Sequence, residues 1–128
     1  MKMKLKDSQH PYIILAPLSE EAEEKMYRYE IYDDNGDISS DYEYMLFDEE
    51  TEEYFELRLF DLINAKFNMI INIYEEEILD NKNIIEAIDL VKRFSDNSDD
   101  KRLVEFATDM INLFEIAKEK GTSVGFYF

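Results

Sequence analysis

The spacing of apolar residues changes near Asp48, and this change constrains the fold of the chain more than any other feature. Before Asp48, short runs rich in Tyr, Ile and Met suit β-strands. After it, apolar residues recur every three or four positions, as they do along one side of an α-helix. Residues 122–128 are again aromatic and β-branched, which is typical of a strand. The order predicts an α+β domain, with about three helices packed on one face of a small antiparallel sheet and a C-terminal strand.

Asn35-Gly36 marks a turn between two aromatic segments, residues 25–33 and 38–47. Asn-Gly tolerates the positive φ angles of a type I′ turn, which joins antiparallel strands through a two-residue loop. The register that follows is defined by four cross-strand pairs: Tyr29–Tyr42, Tyr27–Tyr44, Arg28–Glu43 and Met26–Met45. Aromatic and oppositely charged pairs stabilise antiparallel strands. The sequence therefore predicts an Asn-Gly hairpin within the sheet, with its four tyrosines in the core or at its edge.

Two shorter elements precede this turn. Residues 11–16 form an apolar run bounded by prolines, which favours a strand. Ser19 is a suitable N-cap for one helical turn that extends to Lys25. Residues 1–10 are predicted to be a flexible tail. The last strand is expected to pair with the first strands, because its phenylalanines would otherwise lie in water.

A long apolar stripe with helical spacing runs from Asp48 to Ile78. The asparagines at 64, 68 and 72 can bend or break this helix, and part of residues 67–74 can instead form a strand. A second helix begins at Asn83, where Asn-Ile-Ile-Glu resembles a capping box. A third helix follows Asp99-Asp100 and ends at Gly121, a residue type that commonly terminates helices.

The composition indicates one domain that spans residues 1–128. A chain of 128 residues is near the commonest domain size, and 45% of its residues are hydrophobic, so it can bury a core. Cysteine is absent, which excludes disulfides and thiolate zinc sites. No apolar run is long enough for a membrane span, and the N-terminal residues do not form a secretory signal. We therefore expect a cytoplasmic protein that does not bind membranes.

The acidic charge is concentrated in one part of the chain. Residues 19–61 hold 17 of the 31 acidic side chains and only three basic ones, so this segment carries −14 of the net −17. Such a distribution attracts positively charged molecules and repels phosphates and anionic lipids. Nucleic acid is therefore not an expected ligand, because its binding requires clustered Lys and Arg.

The chain lacks the residues of the common catalytic and metal sites. Its single histidine, His10, lies in the predicted tail, so neither a nucleophile–histidine pair nor a histidine zinc site can form. Asp33-Asp-Asn-Gly-Asp37 suggests a calcium loop, but its glycine falls at position 4 instead of position 6. We expect no cofactor, no metal and no enzymatic activity. A hydrolase that uses two carboxylates is a remaining alternative.

Two acidic clusters are the candidate partner-binding residues. The first surrounds the Asn-Gly turn, where no helix dipole accounts for the acids and where Glu30 would oppose Asp41 across the strands. The second lies at the start of the long helix and contains like charges four residues apart. Tyr32 shares the charged face, where an aromatic residue suits an interface anchor. The set is Glu30, Tyr32, Asp33, Asp34, Asp37, Asp41, Glu43, Glu49, Glu50, Glu52 and Glu53.

In size, charge and lack of catalytic motifs, the whole chain resembles the immunity proteins that bacteria make against secreted or contact-delivered toxins. It also resembles phage-encoded inhibitors that imitate nucleic acid and block restriction or CRISPR effectors. The first resemblance implies a non-catalytic inhibitor whose partner is a basic, nuclease-like toxin domain, with the acidic residues occluding its cationic site. A regulatory module whose acidic face only keeps it in solution is a further alternative.

Overall fold

The computed structural model of the chain describes residues 12–47, 61–69 and 76–127. The predicted flexible tail, residues 1–10, lies outside these ranges. The elements are β1 (Tyr12–Pro17), α1 (Glu20–Tyr27), β2 (Tyr42–Phe47), α2 (Asp61–Phe67), β3 (Glu76–Leu79), α3 (Ile84–Asp96), α4 (Lys101–Lys120) and β4 (Val124–Tyr127). A short 3₁₀ turn at Asn81–Asn83 precedes α3. The α+β class predicted from the sequence is confirmed.

The four strands form one antiparallel sheet in the order β2-β1-β4-β3. Leu15 of β1 lies opposite Tyr44 on one side and Gly125 on the other. The last strand therefore returns to pair with the first one, as predicted, and it also pairs with β3. This arrangement buries Phe126 completely.

Both faces of the sheet are covered. Successive side chains of a strand point to opposite faces of the sheet. In β1, Ile14 belongs to the apolar cluster on the side of α2, α3 and α4. Ile13 and Leu15 belong to the cluster on the side of α1. Burial on both faces explains why β1 is a continuous apolar run. The layer formed by α2, α3 and α4 agrees with the three helices predicted on one face. The second layer, on the opposite face, was not predicted.

Local signals define the ends of α3 and α4. The Asp100 side chain accepts hydrogen bonds from the Arg102 and Leu103 amides, at 3.0 and 3.3 Å, and Gly121 ends α4 in the left-handed conformation, with φ of 70°. Helix α3 begins at Ile84, as predicted, but the capping box is wrong: the Asn83 side chain makes no capping hydrogen bond. Asn83 already has helical backbone angles, because the 3₁₀ turn leads directly into the helix.

The helix predicted from Asp48 to Ile78 does not continue past Asn68, one of the three asparagines at which the sequence predicts that it can bend or break. Helix α2 ends at Phe67, and β3 follows at Glu76–Leu79. Asn68 adopts a left-handed φ of 55°, and the Met69 amide donates to the Asn64 carbonyl at 3.0 Å, which is the six-residue bond of a Schellman motif. Asparagine tolerates this conformation better than most residues, so it terminates the helix. The proposed strand within residues 67–74 largely falls outside the described residues.

The predicted Asn-Gly hairpin is also wrong. Residues 25–27 are the last turn of α1, and β2 pairs with β1 instead of with this segment. Among the described residues, strand pairing between the two sides of the turn is limited to the isolated bridge Tyr32–Ile38. Gly36 has a positive φ of 81° whereas Asn35 does not, so the turn is not type I′. Ser19 accepts a hydrogen bond from the Ala22 amide, and this cap favours helix over strand for the residues that follow.

Candidate binding surface

Helix α1 and the loop that follows it, residues 19–41, form what we call the acidic layer. It covers the face of the sheet opposite α2–α4. It contains nine acidic side chains and two basic ones, Lys25 and Arg28, so its net charge is −7. The layer includes six of the eleven predicted binding residues: Glu30, Tyr32, Asp33, Asp34, Asp37 and Asp41.

The inner side of the acidic layer is apolar. Ala22, Met26 and Ile31 are each about 1% exposed. They belong to a cluster that includes Ile13 and Leu15 of β1, and the buried tyrosines Tyr42 and Tyr127. Because these few side chains face the sheet, the glutamates of α1 lie mainly on its outer side, which gives the helix one apolar and one charged face.

Long-range hydrogen bonds attach α1 to the sheet and its adjoining turn. The Ser123 amide donates to Glu23 Oε2 at 2.6 Å, the Tyr42 hydroxyl donates to the Ala22 carbonyl at 2.9 Å, and the Tyr127 hydroxyl donates to the Met26 carbonyl at 3.1 Å. Each joins parts of the chain that are far apart in the sequence. They hold α1 in a defined position although its apolar contact with the sheet is small.

Gly125 allows α1 to approach the sheet closely. A Cβ atom at this position would lie 2.9 Å from Met26 Sδ and 2.5 Å from Tyr127 Cε2, both shorter than normal contact distances. A side chain there would therefore displace either the methionine or the tyrosine ring. The absence of a side chain at position 125 sets the distance between the acidic layer and β4.

Tyr42 lies where the acidic layer meets β2, and its phenol is shifted in pKa. Burial, followed by the nearby carboxylates of Asp41 and Glu30, raises the pKa of Tyr42 to about 12, and Arg28 acts in the opposite direction. All three main causes disfavour a negative phenolate. The hydroxyl therefore stays protonated at neutral pH and remains a hydrogen-bond donor to α1.

Both basic residues of the layer form ion pairs with acids of the layer. Arg28 donates from Nε and Nη2 to the two carboxylate oxygens of Glu30, each at 3.3 Å, and these bonds raise the pKa of Arg28. Lys25 Nζ lies 3.3 Å from Asp41 and 3.9 Å from Glu21. The predicted repulsion between Glu30 and Asp41 is therefore wrong, because each has its own basic partner once residues 25–28 close the helix. Surface pairs of this kind contribute little to stability.

The Asp33–Asp37 turn has one structural and two free carboxylates. Asp33 Oδ1 accepts hydrogen bonds from the Asn35 and Asp37 amides, at 2.9 and 3.1 Å, and so shapes the turn. Asp34 and Asp37 are exposed, and within the part of the chain that the structure describes their carboxylates have no ion pair or hydrogen bond. Among the described residues, no basic group neutralises the charge of these two acids.

The remaining predicted binding residues fall elsewhere. Glu43 is half-buried on β2, next to the acidic layer in the sheet. The second predicted cluster, Glu49, Glu50, Glu52 and Glu53, lies outside the described residues. The structure thus brings one of the two clusters together around the turn and β2, and the contribution of the other stays a prediction.

Two exposed tyrosines were missed by the sequence reasoning. Tyr27 and Tyr29 were predicted to lie in the core or at its edge, but they are 54% and 48% exposed, close to the value for Tyr32, 52%. The Tyr29 ring packs edge-on against Tyr127, with ring centroids 5.4 Å apart. The signal that could have identified them is the N-cap at Ser19, because helical spacing from Ala22 and Met26 turns Tyr27 outward.

Comparisons with known proteins add no relative. No protein family, curated protein or solved structure matches this chain. Across residues 12–47, 61–69 and 76–127, no group of three or more His, Asp or Glu side chains is arranged to hold a metal ion. None of the described helices is long and apolar enough to cross a membrane.

Proposed function

We propose that this protein is a non-catalytic inhibitor: an immunity protein that binds a basic, nuclease-like toxin domain and occludes its cationic site. The observation that carries the proposal is the charge balance of the acidic layer. Lys25 and Arg28 already form ion pairs with acids of the layer, and a net charge of −7 is still left over. A nuclease site is lined with Lys and Arg, because it must bind phosphates, and its charge is therefore complementary to that of the layer.

The attachment of the layer to the sheet supports a binding role. The hydrogen bonds from Ser123, Tyr42 and Tyr127 hold α1 in place before any partner arrives. A surface that is already ordered loses less conformational entropy on binding. The acids of α1 and the turn can therefore engage a partner without first folding onto the sheet.

The exposed tyrosines support the same role. Tyr27, Tyr29 and Tyr32 lie within six residues of one another, in the most acidic part of the described structure. Tyrosine is enriched at the centres of protein interfaces, because it combines a large apolar area with a polar end and few rotatable bonds. Acids provide long-range attraction and fast association, and tyrosines provide area that can be buried once contact is made.

The test begins with the identity of the partner and ends with inhibition. Proteins captured from host lysate at low salt, and eluted at high salt, identify basic candidates; the purified candidate is then assayed for toxic or nuclease activity. We expect activity to fall to zero at equimolar inhibitor. We expect the association rate to fall at least about tenfold between about 50 and about 500 mM NaCl, because salt screens steering.

Matched charge-reversal variants locate the contact. Asp34→Lys with Asp37→Lys changes the charge of the turn and disturbs no ion pair within the described residues. Glu105→Lys with Glu119→Lys makes the same change in net charge on the exposed side of α4, beyond the opposite face of the sheet. The first variant should weaken inhibition by about a hundredfold or more, and the second by less than about fivefold. Equal effects of the two variants on inhibition would overturn the proposal, and so would an association rate that does not change with salt concentration.

Capture of a restriction or CRISPR effector instead of a toxin would support the alternative function, a protein that imitates nucleic acid, in place of the immunity function.

A further inference from the structure

A cleft lies between the Asp33–Asp37 turn and the neighbouring strands β1 and β2. It has a volume of about 470 Å³. Its apolar lining is formed by Ile13 of β1, Leu46 of β2 and Ile38 of the loop, and all three belong to the apolar cluster on this face. Tyr32 and Tyr44 add aromatic rings, and Asp37 adds a carboxylate.

Two polar groups of the cleft, the Asp37 carboxylate and the Tyr32 hydroxyl, are available for a ligand. Asp37 is exposed, and its carboxylate forms no ion pair or hydrogen bond with any residue in the described ranges; the Tyr32 hydroxyl likewise has none there. The turn that carries Asp37 is held by the two amide hydrogen bonds to Asp33 and by the bond from the Asp33 amide to the Asp37 carbonyl, at 2.7 Å. The backbone of this turn is thus fixed beside an apolar cleft, and the Asp37 carboxylate has no cationic partner among the described residues.

We propose that this cleft binds an arginine side chain of the cationic partner. The inference rests on the proposed function and specifies one of its contacts. An arginine has an aliphatic stem that can lie against Ile13 and Ile38, and a planar cation that stacks on aromatic rings and pairs with a carboxylate through two hydrogen bonds. Lysine fits less well, because its ammonium group is more strongly hydrated and does not stack.

The charge of its lining distinguishes this cleft from a second, larger cavity of the protein. A cavity of about 630 Å³ on the opposite side of the sheet is lined by Leu62, Leu90, Phe94 and Leu103, but its charged lining residue is Arg93. Arg93 already pairs with Asp89, at 2.9 Å, and none of the described residues that line this cavity offers a carboxylate to a basic ligand. The cleft beside Asp37 lies in a layer of net charge −7, and an aliphatic or acidic occupant would leave its carboxylate unpaired.

The test uses the full-length protein labelled with ¹⁵N and with ¹³C methyl groups, titrated with N-acetyl-arginine amide. N-acetyl-citrulline amide is the control, because it has nearly the same shape and no charge. We expect saturable shifts at the Gly36, Asp37 and Ile38 amides and at the Ile13 and Leu46 methyl groups. Citrulline should bind at least about tenfold more weakly, since bonds to charged groups are the stronger ones. Shifts spread over the α1 amides, or equal affinity for the two probes, would overturn the inference.

Two variants on the same turn separate a specific contact from the general field. Asp37→Asn removes the carboxylate that lines the cleft and keeps its shape, and Asp34→Asn removes the same charge three residues away, outside the cleft lining. Asp37→Asn should weaken arginine binding at least about tenfold, and Asp34→Asn less than about twofold. Equal losses of arginine affinity in the two variants would show that the probe is attracted only by the overall negative charge of the acidic layer. The inference would then be wrong. Unchanged spectra for α4 in both variants verify that the fold is intact.

The same variants keep this inference distinct from the proposed function. If the partner binds with steep salt dependence but both variants bind it equally well, the arginine contact is wrong and the inhibitor proposal stands. If the arginine probe occupies the cleft with the predicted selectivity but no basic partner is inhibited, the proposed function is wrong and the chemistry of the cleft stands.

Discussion

The two faces of the sheet are covered by layers of different kinds. On one face, α2, α3 and α4 bury a cluster of 18 apolar residues among those described, with Phe114 and Phe126 packed edge to face, 6.4 Å apart. On the other face, the acidic layer shares a cluster of only seven with the sheet. Long-range hydrogen bonds supplement the smaller apolar contact. The comparison indicates that the helical face supplies most of the stability, which leaves the outer side of the acidic layer free to carry charge that does not help folding.

The largest expected effect is on the helical face. Phe114 is fully buried in α4, so Phe114→Ala should remove contacts and leave a cavity. We expect the free energy of unfolding, measured by urea denaturation, to fall by about 3–5 kcal/mol. Ile85→Ala is the control, because Ile85 is 66% exposed on α3 and its truncation should change stability by less than about 0.5 kcal/mol. A loss below about 1 kcal/mol for Phe114→Ala would contradict the view that this face supplies most of the stability.

A smaller effect is expected where α1 is attached to the turn before β4. Glu23→Ala removes the acceptor of the Ser123 amide, which is 3% exposed and would lose its hydrogen-bond partner. We expect a loss of about 1–2 kcal/mol in the free energy of unfolding. Hydrogen exchange should accelerate more in the α1 amides than in those of α4, because the acidic layer can open separately from the helical face.

Glu24→Ala is the matched control for this change. Glu24 is the next residue of the same helix and is exposed, so its removal deletes an equal charge without deleting an attachment. Its effect on stability should stay within about 0.5 kcal/mol. If Glu23→Ala accelerated exchange equally in α1 and α4, the two layers would open together. This result would contradict the view that the acidic layer opens separately from the helical face.

The smallest effect at neutral pH is expected at Tyr42. Tyr42→Phe removes the hydroxyl that donates to the Ala22 carbonyl, at a cost of about 1 kcal/mol. The pH dependence is more specific. Because the pKa of Tyr42 is raised to about 12 in the folded protein and is about 10 in an unfolded chain, its contribution to stability is complete below pH 10 and is lost as the pH rises towards 12.

The measurement is the free energy of unfolding of the wild type and of Tyr42→Phe, obtained by urea denaturation between about pH 9 and about pH 11.5, and the difference between the two. The difference should shrink and then change sign as the pH rises, since only the wild type must keep this phenol protonated in order to fold. Tyr42 should also ionise at a higher pH than an ordinary tyrosine when tyrosine absorbance is followed against pH. The absorbance change at the highest pH values should therefore be smaller in the variant. A difference that does not change over this range would show that Tyr42 titrates normally.

The sequence predictions were most accurate where the signals for an element lie within a few residues of one another. Helix α4 was predicted well because its N-cap at Asp100, its apolar stripe and its terminal Gly121 all act within a few residues. The hairpin was predicted wrongly because residues 25–32 satisfy two local patterns, and the spacing of tyrosines concealed the helix that Ser19 caps. The candidate site was predicted in part: charge identified the acids around the turn, but not the ion pairs Lys25–Asp41 and Arg28–Glu30.

The sequence by itself determined the α+β class, the ends of the third predicted helix and the concentration of acids in one segment, because periodicity, capping and charge are properties of neighbouring residues. The return of the last strand could be predicted for a different reason, because its phenylalanines must be buried somewhere. Only the tertiary structure decided that β2 pairs with β1, that α1 covers the opposite face of the sheet and that Asp37 lies beside an apolar cleft. These features depend on which distant segments meet. That choice is made by the burial of both faces of β1 and by contacts across about 100 residues, such as that between Glu23 and Ser123.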